Sequence, residues 1–268
     1  MADGVIPPVL LVGCGRMGSA LLHGWQAQGL SPSFVLDPAP TAMSMPHRQV
    51  ADAAFVPEDF RPAAIVLAVK PQRADAALAA IAPLAANTLV LSIMAGCTLA
   101  NLAAFLPDGC AIVRAMPNTP AAIGQGITVA CAGRHVRPSQ RALAGRLLDS
   151  VGTTEWVEDE ALLDPVTALS GSGPAYVFLL AELLEQAGRE QGLPAALART
   201  LARRTVSGAG ALLDASPEMD AAVLRRAVTS PGGTTEQALA VLMQPEAWPS
   251  AIRAAIEAAT QRSRTLAR

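Results

Sequence analysis

Val9-Leu10-Leu11-Val12-Gly13-Cys14-Gly15-Arg16-Met17-Gly18, running on through Ser19 to Gln28, is the stretch on which the fold turns. Its first four residues form a short, unbroken apolar run, the signature of a strand buried on both faces. The three glycines that follow each have a mechanical reason. The first permits a tight turn, the second admits a pyrophosphate against bare backbone, and the third lets a helix approach the strand. From Ser19 the apolar residues recur at helical spacing until Gly29 stops the segment. A second apolar run, Phe34-Val35-Leu36, ends at Asp37, about 20 residues beyond the turn. Strand, glycine turn, helix and strand thus follow in the order that a right-handed crossover requires. The first backbone N–H groups of that helix would face the phosphates of a dinucleotide.

Asp37 bears on which dinucleotide. A carboxylate at the end of the second strand accepts hydrogen bonds from ribose hydroxyls and repels a 2′-phosphate, which favours NADH over NADPH. The same residue before Pro38 also suits a turn cap, and the residues alone leave both readings open.

Outward from this unit the alternation continues. Ala64 to Val69 and Thr88 to Ile93 read as strands, Ala74 to Leu84 as a helix, and Cys110 to Arg114 as a further strand. The repetition predicts an α/β domain, residues 1–158, built as a Rossmann-type, doubly wound, mostly parallel sheet with its ligand crevice at the carboxyl ends of the strands. Between Pro38 and His47 the prolines exclude a full crossover helix, so a short or irregular connection is expected.

Composition agrees. The chain has 268 residues, 51% of them hydrophobic, with only nine aromatics, which suits small-residue packing around a buried parallel sheet. A formal net charge of −2 with scattered arginines offers no basic stripe for nucleic acid. The first residues lack a basic head followed by an apolar stretch, and no window holds 18 uninterrupted apolar residues, so a cytoplasmic protein with no membrane partner is expected. Cys14, Cys97, Cys110 and Cys131 are too far apart for a metal or redox pair and read as reduced core thiols. His23, His47 and His135 are equally dispersed, and no metal is expected.

After Asp159 the strand-like runs cease. Apolar, Ala/Leu-rich segments at 160–169, 174–191, 194–214, 219–228, 234–243 and 247–266 predict an all-helical domain, residues 159–268. The segment from Ala175 is apolar on most of its circumference, as a helix covered from several sides would be, which points to a homodimer. Two glycine-rich helix starts interrupt this background, Ser170-Gly171-Ser172-Gly173-Pro174 and Thr229-Ser230-Pro231-Gly232-Gly233-Thr234-Thr235. Unpaired N–H donors and a positive macrodipole end suit a small carboxylate there, although capping alone also explains such residues.

Taken together, these segments resemble pyrroline-5-carboxylate reductase. The resemblance is carried by Gly-Cys-Gly-Arg-Met-Gly at 13–18, Ala-Val-Lys-Pro at 68–71, Arg-Ala-Met-Pro-Asn-Thr-Pro at 114–120, Leu-Ser-Gly-Ser-Gly-Pro-Ala-Tyr at 169–176 and Thr-Ser-Pro-Gly-Gly-Thr-Thr at 229–235, in the family's order and over nearly the whole chain. It implies NAD(P)H-dependent reduction of 1-pyrroline-5-carboxylate to L-proline, the last step of proline biosynthesis. It further implies that the cofactor touches Gly13, Cys14, Gly15, Arg16, Met17, Gly18, Asp37, Ala68, Val69, Lys70, Pro71, Ala95 and Gly96. The substrate carboxylate would meet Ser230, Gly232, Gly233, Thr234 and Thr235, usually from the partner subunit, with Thr235 near the ring nitrogen. Glu160 matches a position at the substrate site. The dimer could assemble further into a larger homo-oligomer.

Two features depart from the family's pattern. The chain is short between Asp37 and Ile65, and Phe55 stands where many relatives place an Asn that contacts the cofactor. Both, with Asp37, count against the NADPH preference common among relatives. Hydride transfer needs no catalytic histidine, and Lys70 suits orientation of the nicotinamide end better than proton transfer, because a lysine titrates near neutrality only when strongly buried. A 3-hydroxyacid dehydrogenase would want a basic catalytic side chain in the second half, and the helix from Ala175 to Gln191 offers no lysine. Lys70 is the only lysine of the chain. A non-catalytic dinucleotide sensor would keep the fold without turnover.

Overall fold

The computed structural model describes residues 5–39 and 45–267, and the middle of the expected irregular connection, residues 40–44, lies outside them. The chain divides into two compact units, Met1–Gly171 together with Ala259–Arg268, and Ser172–Ala258.

The first unit is built on one eight-stranded sheet: β1 Val9–Val12, β2 Phe34–Leu36, β3 Arg48–Val50, β4 Ala64–Leu67, β5 Leu89–Ser92, β6 Ala111–Met116, β7 Gly126–Ala132 and β8 Gly152–Val157. The spatial order is β3-β2-β1-β4-β5-β6-β7-β8. The first six are parallel, β7 runs antiparallel to β6, and β8 is parallel to β7. The order reverses between β1 and β4, and such a switch point opens a crevice at the strands' carboxyl ends. The expected doubly wound, mostly parallel sheet is therefore present. The last strand ends at Val157, before the expected boundary at 158/159, and the compact unit continues through Gly171.

Four helices cover the sheet: α1 Arg16–Ala27, α2 Ala74–Ile81, α3 Leu99–Phe105 and α4 Pro138–Asp149. Alternation along the strands splits the core into two layers. Val9, Leu11, Val35, Val66, Leu91 and Val113 pack with Leu21, Leu22 and Trp25 of α1 and Leu147 of α4. Leu10, Val12, Leu36, Ile65, Leu67, Val90 and Ile112 pack with Leu78 of α2 and Leu102 of α3. This is why β1, β4 and β5 read as unbroken apolar runs: both faces are covered. Trp25 is fully buried and its Nε1 donates to the Leu147 carbonyl at 2.8 Å, tying α1 to α4. α1 begins at Arg16, three residues before the apolar periodicity does, because the glycine turn itself winds into the helix.

Beyond β8 the backbone stays wound through α5, Leu163–Val166, and a π-helical turn, Thr167–Gly171. The expected loop at Ser170-Gly171 is thus helical. Thr167 and Ser170 hydroxyls donate to the Leu163 and Val166 carbonyls four residues back, which keeps the polar residues inside the winding. The second unit follows as α6 Gly173–Glu190, α7 Ala195–Asp214, α8 Ala221–Ala227 and α9 Thr234–Leu242, with the first part of α10, Trp248–Leu266. Each predicted helical segment has its counterpart. In the single chain, however, no residue of α6 is buried, and Val177, Phe178, Leu179 and Leu183 are exposed. The stretch Glu160–Glu190 is long and apolar enough to cross a membrane by length and composition, with 6% of that window buried.

The four cysteines are free; Cys97, Cys110 and Cys131 are buried as expected, whereas Cys14 is only half-buried. Burial pushes the Cys110 thiol up, and burial followed by the charge of Glu160 does so at Cys131, so both stay protonated and inert. His23 and His135 are exposed, whereas His47 is buried at the start of β3 and its Nδ1 finds no partner among the described residues. Burial disfavours the imidazolium and lowers the pKa of His47 from its usual 6.5. The folded state therefore favours the neutral ring, and this contribution is complete above about pH 6.5 and is lost as the pH falls through the lowered value. The denaturation midpoint should fall from pH 7 to pH 5, and His47→Leu should flatten part of that slope; equal slopes in both proteins would contradict it.

Candidate active site

Five strands end level at one edge of the sheet. Val12 pairs with Leu36 and Leu67, Leu36 with Val50, and Leu67 with Ser92. The ladder continues one residue further: Gly13, Asp37, Ala68 and Ile93 donate their N–H groups to Leu36, Val50, Val12 and Leu67 at 2.8–3.1 Å. The residues expected to meet the cofactor follow from this edge.

The glycine turn has the geometry its spacing implied. A Cβ at Gly13 would stand 2.8 Å from Val69 Cγ1 and 2.9 Å from the Ala68 carbonyl, and Gly13 has φ +90°. One at Gly18 would run into the Gly13 carbonyl and approach Ala68 Cβ. At Gly15 nothing lies within 4 Å, and the residue is exposed. Two glycines are thus required by contact with protein, while the middle one leaves open space in front of bare backbone. Gly15 is also the N-cap of α1, with no side-chain cap and no acidic residue in the first turn. The helix presents its unpaired donors and positive end to that space. A dinucleotide pyrophosphate fits here. Arg16 is exposed and Met17 half-buried beside it.

Asp37 serves as a turn cap and also reaches into the glycine turn. One carboxylate oxygen accepts the Cys14 N–H at 2.6 Å, inside the glycine turn, and the other accepts the Ala39 N–H at 2.8 Å, as a turn cap does. A carboxylate has about four acceptor positions, so capacity for ribose hydroxyls remains. Ala68 and Val69 are half-buried against the turn, whereas Lys70 and Pro71 are exposed, with Pro71 opening a 3-10 turn that Lys70 precedes. Ala95 is exposed after β5, and Gly96 has φ +76°.

Glu160 lies in a different setting from a free substrate contact. Its Oε1 accepts from Arg114 Nη1 at 2.7 Å and from the Leu99 N–H at 2.8 Å. Arg114, 7% exposed at its side chain, rises from β6, and Leu99 opens α3 just after the Ala95-Gly96 turn. Arg114 stood in a motif of the sequence without a role. Its partner is 46 residues away, so no local spacing signals the pair.

The remaining candidates lie in the second unit. Gly233 is the N-cap of α9 without a side-chain cap, and its N–H donates to the Ser230 carbonyl at 3.0 Å. Gly232, at φ +71°, donates its N–H to Glu236 Oε2 at 2.8 Å. Glu236 was not singled out in the sequence, although a carboxylate at the third helical position commonly turns back to the helix start. The N–H groups of Thr234, Thr235 and Glu236 open the helix, where no intrahelical acceptor precedes them. Ser230, Gly232 and Thr234 are exposed, and Gly233 and Thr235 half-buried.

Comparison with known proteins places both units. Residues 160–266 match the family described as pyrroline-5-carboxylate reductase dimerisation, and residues 8–96 the family described as NADP oxidoreductase coenzyme F420-dependent. The pyrroline-5-carboxylate reductase of Pseudomonas aeruginosa is 40% identical over 267 residues, 97% of each chain. The solved structure of a pyrroline-5-carboxylate reductase from Coxiella burnetii superposes with a TM-score of 0.88 at 32% identity, covering 97% of this chain and 98% of that one. The Plasmodium falciparum pyrroline carboxylate reductase, solved with NADP bound, gives 0.82 at 29% identity over the whole of both chains.

The Arg114–Glu160 pair carries a stability prediction. Arg114→Met leaves a carboxylate, 28% exposed, without its cation. The loss should be near the lower end for a broken buried pair, about 3 kcal/mol, in a denaturant titration. The double change with Glu160→Leu should recover part of it. A single variant as stable as the parent would contradict the role of the pair.

Proposed function

The chain belongs to the pyrroline-5-carboxylate reductase family, and on that premise we propose how its own residues serve the reaction. It is an NAD(P)H-dependent oxidoreductase acting on a CH–NH bond, reducing 1-pyrroline-5-carboxylate to L-proline, the last step of proline biosynthesis. The observation that carries the site assignment is the open backbone at Gly15, flanked by two glycines that have no room for a side chain.

When bound, the nicotinamide supplies the hydride. The protein binds, orients and excludes water. The turn Gly13 to Gly18 and the start of α1 hold the pyrophosphate. Asp37 accepts from the ribose hydroxyls and disfavours a 2′-phosphate, so NADH is the preferred cofactor. Ala68, Val69, Lys70 and Pro71 on one side, and Ala95 and Gly96 on the other, bound the nicotinamide end.

The substrate carboxylate is held by Ser230 and by the backbone at Gly232, Gly233, Thr234 and Thr235, where the start of α9 offers unpaired N–H donors. Gly232 reaches it by exchanging Glu236 for the substrate. Thr235 is the catalytic candidate: its hydroxyl would hydrogen-bond the ring nitrogen, which takes up a proton from solvent as the imine carbon accepts the hydride, and would keep that carbon facing the hydride donor. Glu160 contributes by position, because its carboxylate already holds Arg114 and Leu99.

The helical unit is a dimerisation domain, and the bare apolar surface of α6 supports a homodimer whose partner subunit delivers the 230–235 loop. Burying such a surface between two copies also accounts for the apolar stretch Glu160–Glu190 without a membrane. A larger homo-oligomer and a cytoplasmic location complete this reading.

Purified protein supplied with 1-pyrroline-5-carboxylate should oxidise NADH faster than NADPH at equal low concentration and yield proline. Cofactor binding without proline formation would instead favour a dinucleotide sensor. Asp37→Ser should narrow the cofactor ratio by about tenfold, the worth of one charge-assisted hydrogen bond, and an NADPH preference in the parent would remove Asp37 from cofactor choice. Thr235→Ala should lower kcat by about 10- to 100-fold with little change in cofactor affinity, and parental kinetics would remove Thr235 from the mechanism.

A further inference from the structure

The last turns of α10 are part of the first unit. Residues 259–266 belong to it, whereas the preceding residues of the same helix belong to the second. Two contacts hold this end in place. Ser263, 7% exposed, donates its hydroxyl proton to Asp164 Oδ1 at 2.7 Å. A hydrogen bond to a carboxylate is among the stronger kinds, and a buried serine without it leaves a polar group unpaired. Three residues on, the carbonyl of Leu266 lies against Gly96. A Cβ at Gly96 would stand 2.9 Å from the Leu266 oxygen and 3.3 Å from its carbonyl carbon. Gly96 is therefore required twice, by its φ of +76° and by the helix end that covers it.

The same turn is held from its other side. Two residues after Gly96, the Thr98 side chain caps α3, and the next N–H, from Leu99, donates to Glu160. Glu160 and Asp164 sit on one short helical run, Glu160–Val166, so a single segment anchors both supports. Ala95 itself stays exposed.

We infer that the end of α10, fastened by Ser263 to Asp164, is a positioning element for the Ala95-Gly96 turn and thereby for hydride transfer. Ser263, Asp164 and Leu266 act through the turn, fixing the backbone on which the nicotinamide would rest. This rests on the reading that Ala95 and Gly96 meet the nicotinamide end. A displacement of that backbone changes the approach of donor and acceptor carbons more than it changes overall cofactor affinity, because the pyrophosphate and ribose contacts lie elsewhere.

The test uses the full-length enzyme with Ser263→Ala and Ser263→Thr, measuring kcat, cofactor KM, and the isotope effect with reduced cofactor deuterated at the transferred position. Ser263→Ala should lower kcat per cofactor-binding site by about tenfold, change cofactor KM by less than about threefold, and raise the isotope effect as hydride transfer becomes slower. Ser263→Thr, which keeps the hydroxyl, should restore all three. A purely structural serine would lower the denaturation midpoint while per-site kcat and isotope effect stayed parental, and that result overturns the inference. Should Ser263→Ala not assemble, Asp164→Asn retains an acceptor and should show the same split at smaller size; its absence also overturns the inference. Ala95→Val separates the two layers of the argument. If it leaves kcat and cofactor KM unchanged, the reading of the turn as a nicotinamide contact falls, and the inference with it. If it impairs either while the Ser263 variants turn over normally, only the positioning role falls.

Discussion

Backbone meets backbone where β1 ends, and no side chain fits between. Gly18 lies against the Gly13 carbonyl, and Gly13 against Ala68 and Val69 at the end of β4. This close approach brings the start of α1 to the point where the strand order reverses, and it leaves Gly15 as the uncovered backbone in between. A Cβ on either flanking glycine would push α1 away from the sheet and close or tilt the opening. The opening is thus a consequence of packing: the contacts that stabilise the domain also leave the space in front of Gly15. Asp37 extends the arrangement, since one oxygen fixes the Cys14 N–H inside the turn and acceptor capacity remains on the carboxylate.

Charge is used sparingly elsewhere. The half-buried Arg114–Glu160 pair joins β6 to the helical run after β8 and to the start of α3. Removing charges from water is unfavourable, and such pairs are retained where they specify one arrangement. Here the arrangement specified is that of the segment following Ala95-Gly96. The helical unit follows a different logic. Its helices leave leucines and Phe178 uncovered in the single chain, so burial of that surface must come from association, which is how a dimerisation domain stabilises itself.

Most of the sheet was legible because a parallel sheet covered on both faces demands unbroken apolar runs, and Val9–Val12, Ala64–Leu67 and Leu89–Ser92 supply them. The glycine turn was legible because Gly13 and Gly18 each answer a separate steric need. β3, by contrast, is a three-residue edge strand containing Arg48 and Gln49, too short and polar to announce itself. The winding at Ser170-Gly171 was hidden by residues that elsewhere make loops; hydroxyls bonded back to carbonyls four residues earlier hold them in a helix. Arg114 with Glu160, and Ser263 with Asp164, are pairs separated by 46 and 99 residues. Contacts of that span leave no local pattern, and only the fold discloses them. The segment 229–235 was legible as a glycine-rich helix start, while the hold of Glu236 on Gly232 was not.

The account is tested most directly by a crystal structure of the protein with reduced nicotinamide cofactor and proline bound. It predicts the pyrophosphate over Gly15 at the start of α1, the nicotinamide between Lys70-Pro71 and Ala95-Gly96, and the proline carboxylate on the start of α9. A pyrophosphate bound away from Gly15, or a proline with no contact to residues 230–235 of either subunit, would contradict it.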